Sequence, residues 1–306
     1  MKSAQLIVAL VLLACGGLGR AASLPSAGVF AQTNLVAWCI VPFDAKKRGP
    51  EERAVMLEKL GFKRFAYDYR AEHIATFDTE IESLKKHGIE LTAWWFPTSL
   101  NAEAKNILEV LKRHGEHPQL WVMGGGGATQ SPEEQTARVE AEAHRIGEIA
   151  AAAKAIGSRV GLYNHGGWFG EPENQLAIIE RLQTNGVTNV GIVYNLHHGH
   201  GHIARLPALL ARMKPHLFAL NINGMTAGGD QTGLKILPVG QGVLDLELLA
   251  MIQISGWKGP VGILNHTDED AEARLQDNLN GLAWVTAQLE GKPAGPKPVP
   301  VSWKGP

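Results

Sequence analysis

From residue 34 onward the chain alternates between two kinds of segment, and this alternation restricts its fold more than any other feature. Short runs rich in β-branched and aromatic residues are "NLVAWCIV" (34–41), "KRFAYDY" (63–69), "ELTAWWF" (90–96), "QLWVMG" (119–124), "RVGLYN" (159–164), "NVGIVYN" (189–195), "LFALNIN" (217–223) and "VGILN" (261–265). Between them lie helical patterns with their own start and stop chemistry. "PEERAVMLEKLG" opens on Pro50 and two acids and stops at Gly61. "FDTEIESLKKHG" and "EAKNILEVLKRHG" both close on a basic turn and a glycine. "SPEEQTARVEAEAHRIGEIAAAAKAIG" begins with Ser131 and Glu134 at capping-box spacing, with Pro132 at the first helical position. "EPENQLAIIERLQTNG", "LPALLARMK", "LDLELLAMIQISG" and "EDAEARLQDNLNGLAWVTAQL" complete the set. Runs that are apolar throughout suit strands buried on both faces, as in a parallel sheet. Eight strand–helix units in 306 residues predict an α/β fold, a closed (β/α)8 TIM barrel, as a single domain over residues 34–290. A doubly wound open sheet is the alternative. It needs fewer units or a second domain, and no linker divides the chain. The 35 glycines suit many tight strand–helix turns.

Residues 1–31 stand apart. Lys2 precedes the apolar "LIVALVLLACGGLG", which is too short to span a bilayer. Small residues follow at Gly19-Arg20-Ala21 and at Val29-Phe30-Ala31. This is the pattern of a secretory signal peptide, cleaved near Ala21 or Ala31. Export to the periplasm or the extracellular space is therefore expected, with no membrane span. "LLAC" also has the form of a bacterial lipobox, which would make Cys15 an acylated anchor. Cys39 is then the one other cysteine, and it reads as a small buried strand residue rather than a nucleophile. The tail 291–306, "GKPAGPKPVPVSWKGP", is expected to run extended over the surface or to be disordered. A net charge of -1 without a basic stripe argues against nucleic acid as a partner. The sequence does not reveal the oligomeric state.

The active site of such a barrel lies at the C-terminal ends of its strands. The residues just past each run are Trp38; Asp68, Arg70 and His73; Trp94 and Trp95; Gly124 to Gly127; Asn164, His165 and Trp168; Asn195 with "YNLHHGHGH" (194–202); Asn221 and Asn223; and Asn265 and His266. A rim of Trp, His and Asn suits a neutral or oxidised sugar, so a small-molecule carbohydrate is the expected partner. A phosphate would call for more cations than Arg70 and Lys235. Expected sugar contacts are Asn164, Trp168, Asn195, Asn221, Asn223, Asn265, His266, Arg70 and Lys235. Trp95 is assigned to the core. "MGGGGATQ" reads either as an anion cradle ahead of Ser131 or as a tight turn.

From about residue 34 to residue 290 the chain resembles the xylose isomerase-like TIM-barrel superfamily, the sugar phosphate isomerase/epimerase group. "GLYNHGGWFGEPEN" is similar to that family's fifth-strand motif, and "VYNLHHGH" to its sixth-strand Asp-x-Gly-His motif. "ILPVGQGVLDLELLAMIQISGWKGPVGILN" resembles its closing glycine segment, helix and last strand, and is the most specific of the three. The resemblance implies an isomerase or epimerase that binds one divalent ion through carboxylates and a histidine, with two glutamates as acid and base. The chain departs at those positions. Tyr163 stands for the fifth-strand Glu, Asn195 for the sixth-strand Asp, Asn221 for a seventh-strand His and Asn265 for the last Glu, while His198 matches the motif's histidine.

A hard ion such as Mg2+ or Mn2+ wants anionic oxygens, and Asn offers a neutral carbonyl. A softer ion, Zn2+, remains open as a cofactor through His198 with His165, His200 or His266. His198 and His165 titrate near neutral pH without tuning and are the candidate proton-transfer residues, with Asp68 as the one strand-end acid. Asp68 reads equally as an ion-pair partner of Arg70. Within "YNLHHGHGH" the expectation is that Asn195 and His198 hold the sugar while His200 and His202 cover the loop. Three readings follow: an exported isomerase or epimerase working by His-assisted proton transfer, a keto-sugar lyase on the same barrel, or a sugar-binding pseudo-enzyme whose acids were lost.

Overall fold

A computed structural model describes residues 22–25 and 28–303. The lipobox cysteine Cys15 and the apolar segment around it lie outside the described residues. The strands are β1 (Leu35–Trp38), β2 (Arg64–Tyr67), β3 (Glu90–Phe96), β4 (Gln119–Val122), β5 (Arg159–Tyr163), β6 (Val190–Asn195), β7 (Leu217–Ile222) and β8 (Val261–Leu264). Every neighbouring pair is parallel, and β1 pairs with β8 through Ala37 and Ile263 among others, so the sheet closes into a barrel in sequence order. The helices are α1 (Pro50–Lys59), α2 (Phe77–Lys86), α3 (Ala102–His114), α4 (Pro132–Ala155), the short α5 (Gly167–Gly170), α6 (Pro172–Thr184), α7 (Leu206–Met213), the short α8 (Gly229–Thr232), α9 (Asp245–Ile254) and α10 (Ala271–Leu289). The chain is thus the single-domain (β/α)8 TIM barrel that the alternation predicts.

The local chemistry explains the element ends. Ser131 caps α4 by accepting from the Glu134 amide at 3.2 Å, with Pro132 next in line. Asn101 caps α3 in the same way at 2.8 Å, and Gly115 ends it with φ +65°. The glycine segment ahead of α9 folds around Asp245, whose carboxylate accepts from the amides of Met225, Gly240 and Gly242 at 2.6, 2.6 and 3.0 Å. Among the described residues no helix is long and apolar enough to cross a membrane.

Two layers of core follow from the strand period of two. Leu35, Phe65, Trp94, Leu120, Leu162, Ile192, Leu220 and Ile263 face the helices. Val36, Trp38, Ala66, Ala93, Trp121, Tyr163, Val193, Ala219 and Leu264 fill the lumen. Gly161 makes room there: a Cβ on it would lie 2.5 Å from Val193 and 3.1 Å from Trp121.

The described segments before β1 and after α10 pack on this barrel. Val29 and Phe30 are buried, and the Asn34 amide donates to the carbonyls of Val29 and Gly259 at 2.8 and 2.7 Å. Beyond α10, residues 291–303 form neither helix nor strand. Asp277 accepts from the Val301 and Ser302 amides at 2.9 and 2.7 Å, and Gln241 donates to the Pro298 carbonyl at 2.8 Å.

Candidate functional site at the barrel mouth

The floor of the mouth is aromatic. Trp38 meets Trp121 edge-on with centroids 4.6 Å apart, and Tyr163 stacks on Trp121 at 5.9 Å. The Tyr163 hydroxyl accepts from Trp38 Nε1 at 3.3 Å and from Asn195 Nδ2 at 2.5 Å. Burial pushes the phenol's pKa far up, so Tyr163 stays neutral. The phenol and the amide sit where the fifth- and sixth-strand acids were expected, and the Trp38 indole of β1 ties into them.

Above the floor four imidazoles meet. Asn195 Oδ1 accepts from the His197 amide at 3.2 Å, capping a single 3-10 turn, Leu196–His198, that swings the chain over the lumen. Gly199 closes the turn at 2.7 Å, and a side chain there would strike Tyr194 Oη at 2.4 Å. Ring centroids then lie 3.6 Å apart for His197–His198, 4.6 Å for His198–His165 and 5.3 Å for His197–His266. Phe43 continues the wall 4.0 Å from His266, with the Arg70 guanidinium 5.6 Å over its face. Trp95, 6.2 Å from His165 and 5.1 Å from Tyr163, completes it.

The rings suppress one another's charge. Burial, then the charges of His165, Lys235 and His266, pull His198 down to about 3. Burial and then Arg70 and His165 pull His266 down to about 4. His197 lies well below the usual range through burial and His198, and His165 is lowered by burial and Lys235. All four are neutral at pH 7 and present N–H donors and bare nitrogens. His197 Nδ1 and His266 Nδ1 are buried without a hydrogen-bond partner.

Asp68, just past the end of β2, is 2% exposed. Its Oδ1 accepts from the Val41 amide at 3.2 Å, and its Oδ2 has no partner. Burial pushes its carboxyl up to about 7 against the opposing charge of Arg70. The expected Asp68–Arg70 ion pair is not formed: Arg70 Nη1 donates to the backbone carbonyls of Asp68 and Tyr69, each at 2.8 Å. Cys39 is buried, as expected, but with φ +56°, and burial and Asp68 hold its thiol protonated.

Several expected sugar contacts stand elsewhere. Asn164 faces away from the lumen and clamps β6, donating to the Asn195 carbonyl at 3.1 Å and accepting from its amide at 2.8 Å. Asn265 follows the lumen residue Leu264, so alternation turns it toward the helices, fully buried. Asn221 does share the lumen side with Ala219, fully buried and with neither amide atom partnered. Asn223 Nδ2 donates to the Gly224 and Lys235 carbonyls at 2.8 and 3.3 Å. Trp168 is 4% exposed, with its indole on Gln135 at 2.6 Å and under Arg138. It lines a separate cavity of about 430 Å³ with Gly126, Gly127 and Glu171. Lys235 is exposed, with its backbone carbonyl held by His200 and Asn223.

The outer histidines are anchors, not cover. His202, 6% exposed, joins Tyr194 Oη at 3.0 Å to Glu171 Oε1 at 3.3 Å. His200 Nε2 bonds the Lys235 carbonyl at 3.0 Å. The sequence left His197 outside the expected site residues, gave no sign of Phe43, and placed Trp95 in the core. The alternation along "LTAWW" was the available signal, since Ala93 and Trp95 share the lumen face.

The donors do not fit a hard divalent ion. Tyr163, Asn195 and Asn221 bring no anionic oxygen, and the Tyr163 hydroxyl is already engaged twice. The imidazole set His165, His198 and His200 does not converge either, because His200 turns to Lys235. Among the described residues no group of three or more His, Cys, Asp or Glu is disposed to hold a metal.

A family profile described as xylose isomerase-like TIM barrel matches residues 56–286. The chain is similar in structure to 3-keto-D-glucoside 4-epimerase YcjR from E. coli, with TM-score 0.61 and 16% identity over 83% of this chain and 99% of that one. It is similar to the IOLI protein with a bound zinc atom, with TM-score 0.65 and 16% identity over 83% and 98%. It is also similar to D-allulose 3-epimerase from Methylomonas sp. in complex with D-allulose, with TM-score 0.56 and 12% identity over 88% and 99%. No curated protein matches the sequence significantly. At these identities the structural likeness speaks for the fold, and the profile match over most of the barrel carries the assignment: the chain belongs to the xylose isomerase-like TIM barrel family.

Proposed function

We propose that this protein is an exported carbohydrate-active enzyme of the isomerase or epimerase type, in which neutral imidazoles rather than carboxylates move the proton. The observation that carries the reading is the ring of His165, His197, His198 and His266 over an aromatic floor. Trp95 offers a half-buried face for a sugar ring, and the imidazole N–H groups offer donors to its oxygens.

Taking a proton from carbon beside a carbonyl leaves an enediolate with developing negative charge. In the free site the imidazoles resist protonation because burial and neighbouring cations oppose it. A negative charge forming among them reverses that balance, so His198 or His165 becomes basic as the bond breaks. Neutral N–H groups on the other rings stabilise the oxyanion. The ring that took the proton, or the neighbouring one of His165 and His198, returns it to carbon. The proton transfer needs only these side chains, and no step is assigned to a divalent ion.

The likeness to sugar epimerases supports the reaction class. A specific observation favours a second reading, sugar binding without turnover: Tyr163 and Asn195, which stand where acids would act, are locked to each other, and Tyr163 to Trp38. Incubation with aldoses and ketoses in D2O separates the two. The enzyme reading expects deuterium at carbon, lost in His198→Ala. Saturable sugar binding with no exchange would establish the binding reading instead. For export, N-terminal sequencing from an expressing bacterium should find a start near Ala22. Cleavage after Ala31 would remove the buried Val29 and Phe30.

A further inference from the structure

A second cavity opens beside the mouth. Its volume is about 400 Å³, within the range of small-molecule sites, and Tyr69, Arg70, Trp95, Thr98, Asn101 and Glu103 line it. It joins the mouth through two side chains. Trp95 lines the cavity and also stands 5.1 Å from Tyr163 and 6.2 Å from His165, centroid to centroid. Arg70 lies over Phe43 at 5.6 Å, and Phe43 packs on His266 at 4.0 Å.

The lining is held in place by the protein itself. Arg70 Nη1 donates to the carbonyls of Asp68 and Tyr69, each at 2.8 Å. Glu103 Oε1 accepts from the hydroxyl of Tyr69, itself buried. Asn101 Oδ1 caps α3 by accepting from the Ala104 amide at 2.8 Å. The Thr98 carbonyl accepts from Arg145 Nη1 at 2.6 Å. Each anchor uses one atom and leaves another open. Among the described residues Arg70 Nη2, Asn101 Nδ2, Glu103 Oε2 and the Thr98 hydroxyl have no protein partner.

The open atoms are of mixed kind. Arg70 and Asn101 offer donors, Glu103 an acceptor, and the Thr98 hydroxyl either. Arg70 and Glu103 carry opposite charges, so a charged ligand meets repulsion from one of them. A ring of vicinal hydroxyls gives and takes hydrogen bonds at once, and its C–H face suits the Trp95 indole. These are the needs of a neutral sugar ring.

Resting on the sugar-site reading above, we propose that the substrate is a reducing disaccharide. Its reducing ring, which opens to the carbonyl that proton transfer requires, lies among the imidazoles. Its second ring fills the cavity between Trp95, Asn101 and Glu103. A monosaccharide leaves these donors and acceptors to water.

The test is calorimetric titration of the purified protein with cellobiose, maltose, lactose and melibiose, which all end in a reducing glucose. The comparisons are D-glucose and methyl β-D-glucopyranoside, a single ring without a free carbonyl. The expected result is that at least one disaccharide binds about tenfold tighter than D-glucose or better, since the second ring adds hydrogen bonds and stacking. Ala71→Trp should remove that preference by filling the cavity from its exposed rim. Asn101→Asp keeps the capping oxygen and exchanges the Nδ2 donor for an acceptor, so it should lower the preference about fivefold. Asp caps helices as well as Asn does, which keeps the test valid if Ala71→Trp does not fold. No disaccharide binding better than D-glucose, a methyl glucoside as tight as the disaccharides, or a preference that survives both substitutions overturns the two-ring assignment and leaves the sugar site standing. If none of these sugars binds, the sugar-site reading falls and this inference falls with it.

Discussion

His202→Ala should destabilise the protein far more than an ordinary loop substitution. His202 is 6% exposed and bridges Tyr194, which is fully buried, to Glu171. Removing the ring leaves the Tyr194 hydroxyl without its protein partner, at a cost of roughly 1–3 kcal/mol. The void left by the ring adds roughly 1 kcal/mol. Glu171, whose side chain is 45% exposed and still bonded to Arg205, rehydrates and adds little. The total is about 2–4 kcal/mol, or a fall in Tm of roughly 5–10 °C for a domain of this size. Urea denaturation with unchanged m reads it. A double-mutant cycle makes the reasoning strict. In a Tyr194→Phe background no hydroxyl is orphaned, so His202→Ala should lose about 1–2 kcal/mol of its effect. A fully additive cycle, or a single-mutant loss under about 0.5 kcal/mol, would refute the anchoring role.

Three further outcomes follow from the same geometry. Gly199→Ala should cost about 1–3 kcal/mol in the same assay, because the new Cβ would lie 2.4 Å from Tyr194 Oη in packed surroundings. Asp68 binds its proton more tightly folded than unfolded, so its contribution to stability falls as pH rises from about 4 toward about 7. The stability of Asp68→Asn relative to the parent should therefore grow between pH 5 and pH 8, and a flat difference would place the carboxyl in water. Thermal melting with Mg2+, Mn2+ or Zn2+ should show no specific stabilisation, whereas micromolar Zn2+ stabilisation abolished in His198→Ala would show that the imidazoles do close on a metal.

The barrel was legible because each unit carries its own signals. Apolar runs, Pro50 and Pro132 at helix starts, and Gly61 and Gly115 at helix ends are all local in sequence. The site was legible only in part. Collecting the residues past each strand ignores which face they take, so Asn164 and Asn265 were gathered with His165 and His266 although alternation separates them. The turn that brings His198 inward was readable from Gly199 and Gly201. The partners of His202 were not, since Tyr194 comes from β6 and Glu171 from the start of α6, and only closure of the barrel joins them. Trp95 was lost for a similar reason. Two adjacent tryptophans look alike in composition, yet one packs against Phe77 in the outer core and the other opens on the mouth.

The most direct test of the central claim is an NMR titration of the imidazoles with and without sugar. The account predicts that His198 shows no protonation above about pH 4, consistent with a site held neutral by burial and by its neighbours. It also predicts that a bound sugar shifts the His165, His197, His198 and His266 signals together, since the four rings form one wall. His198 titrating near 6.5 independently of the others, with sugar leaving all four unmoved, would contradict it.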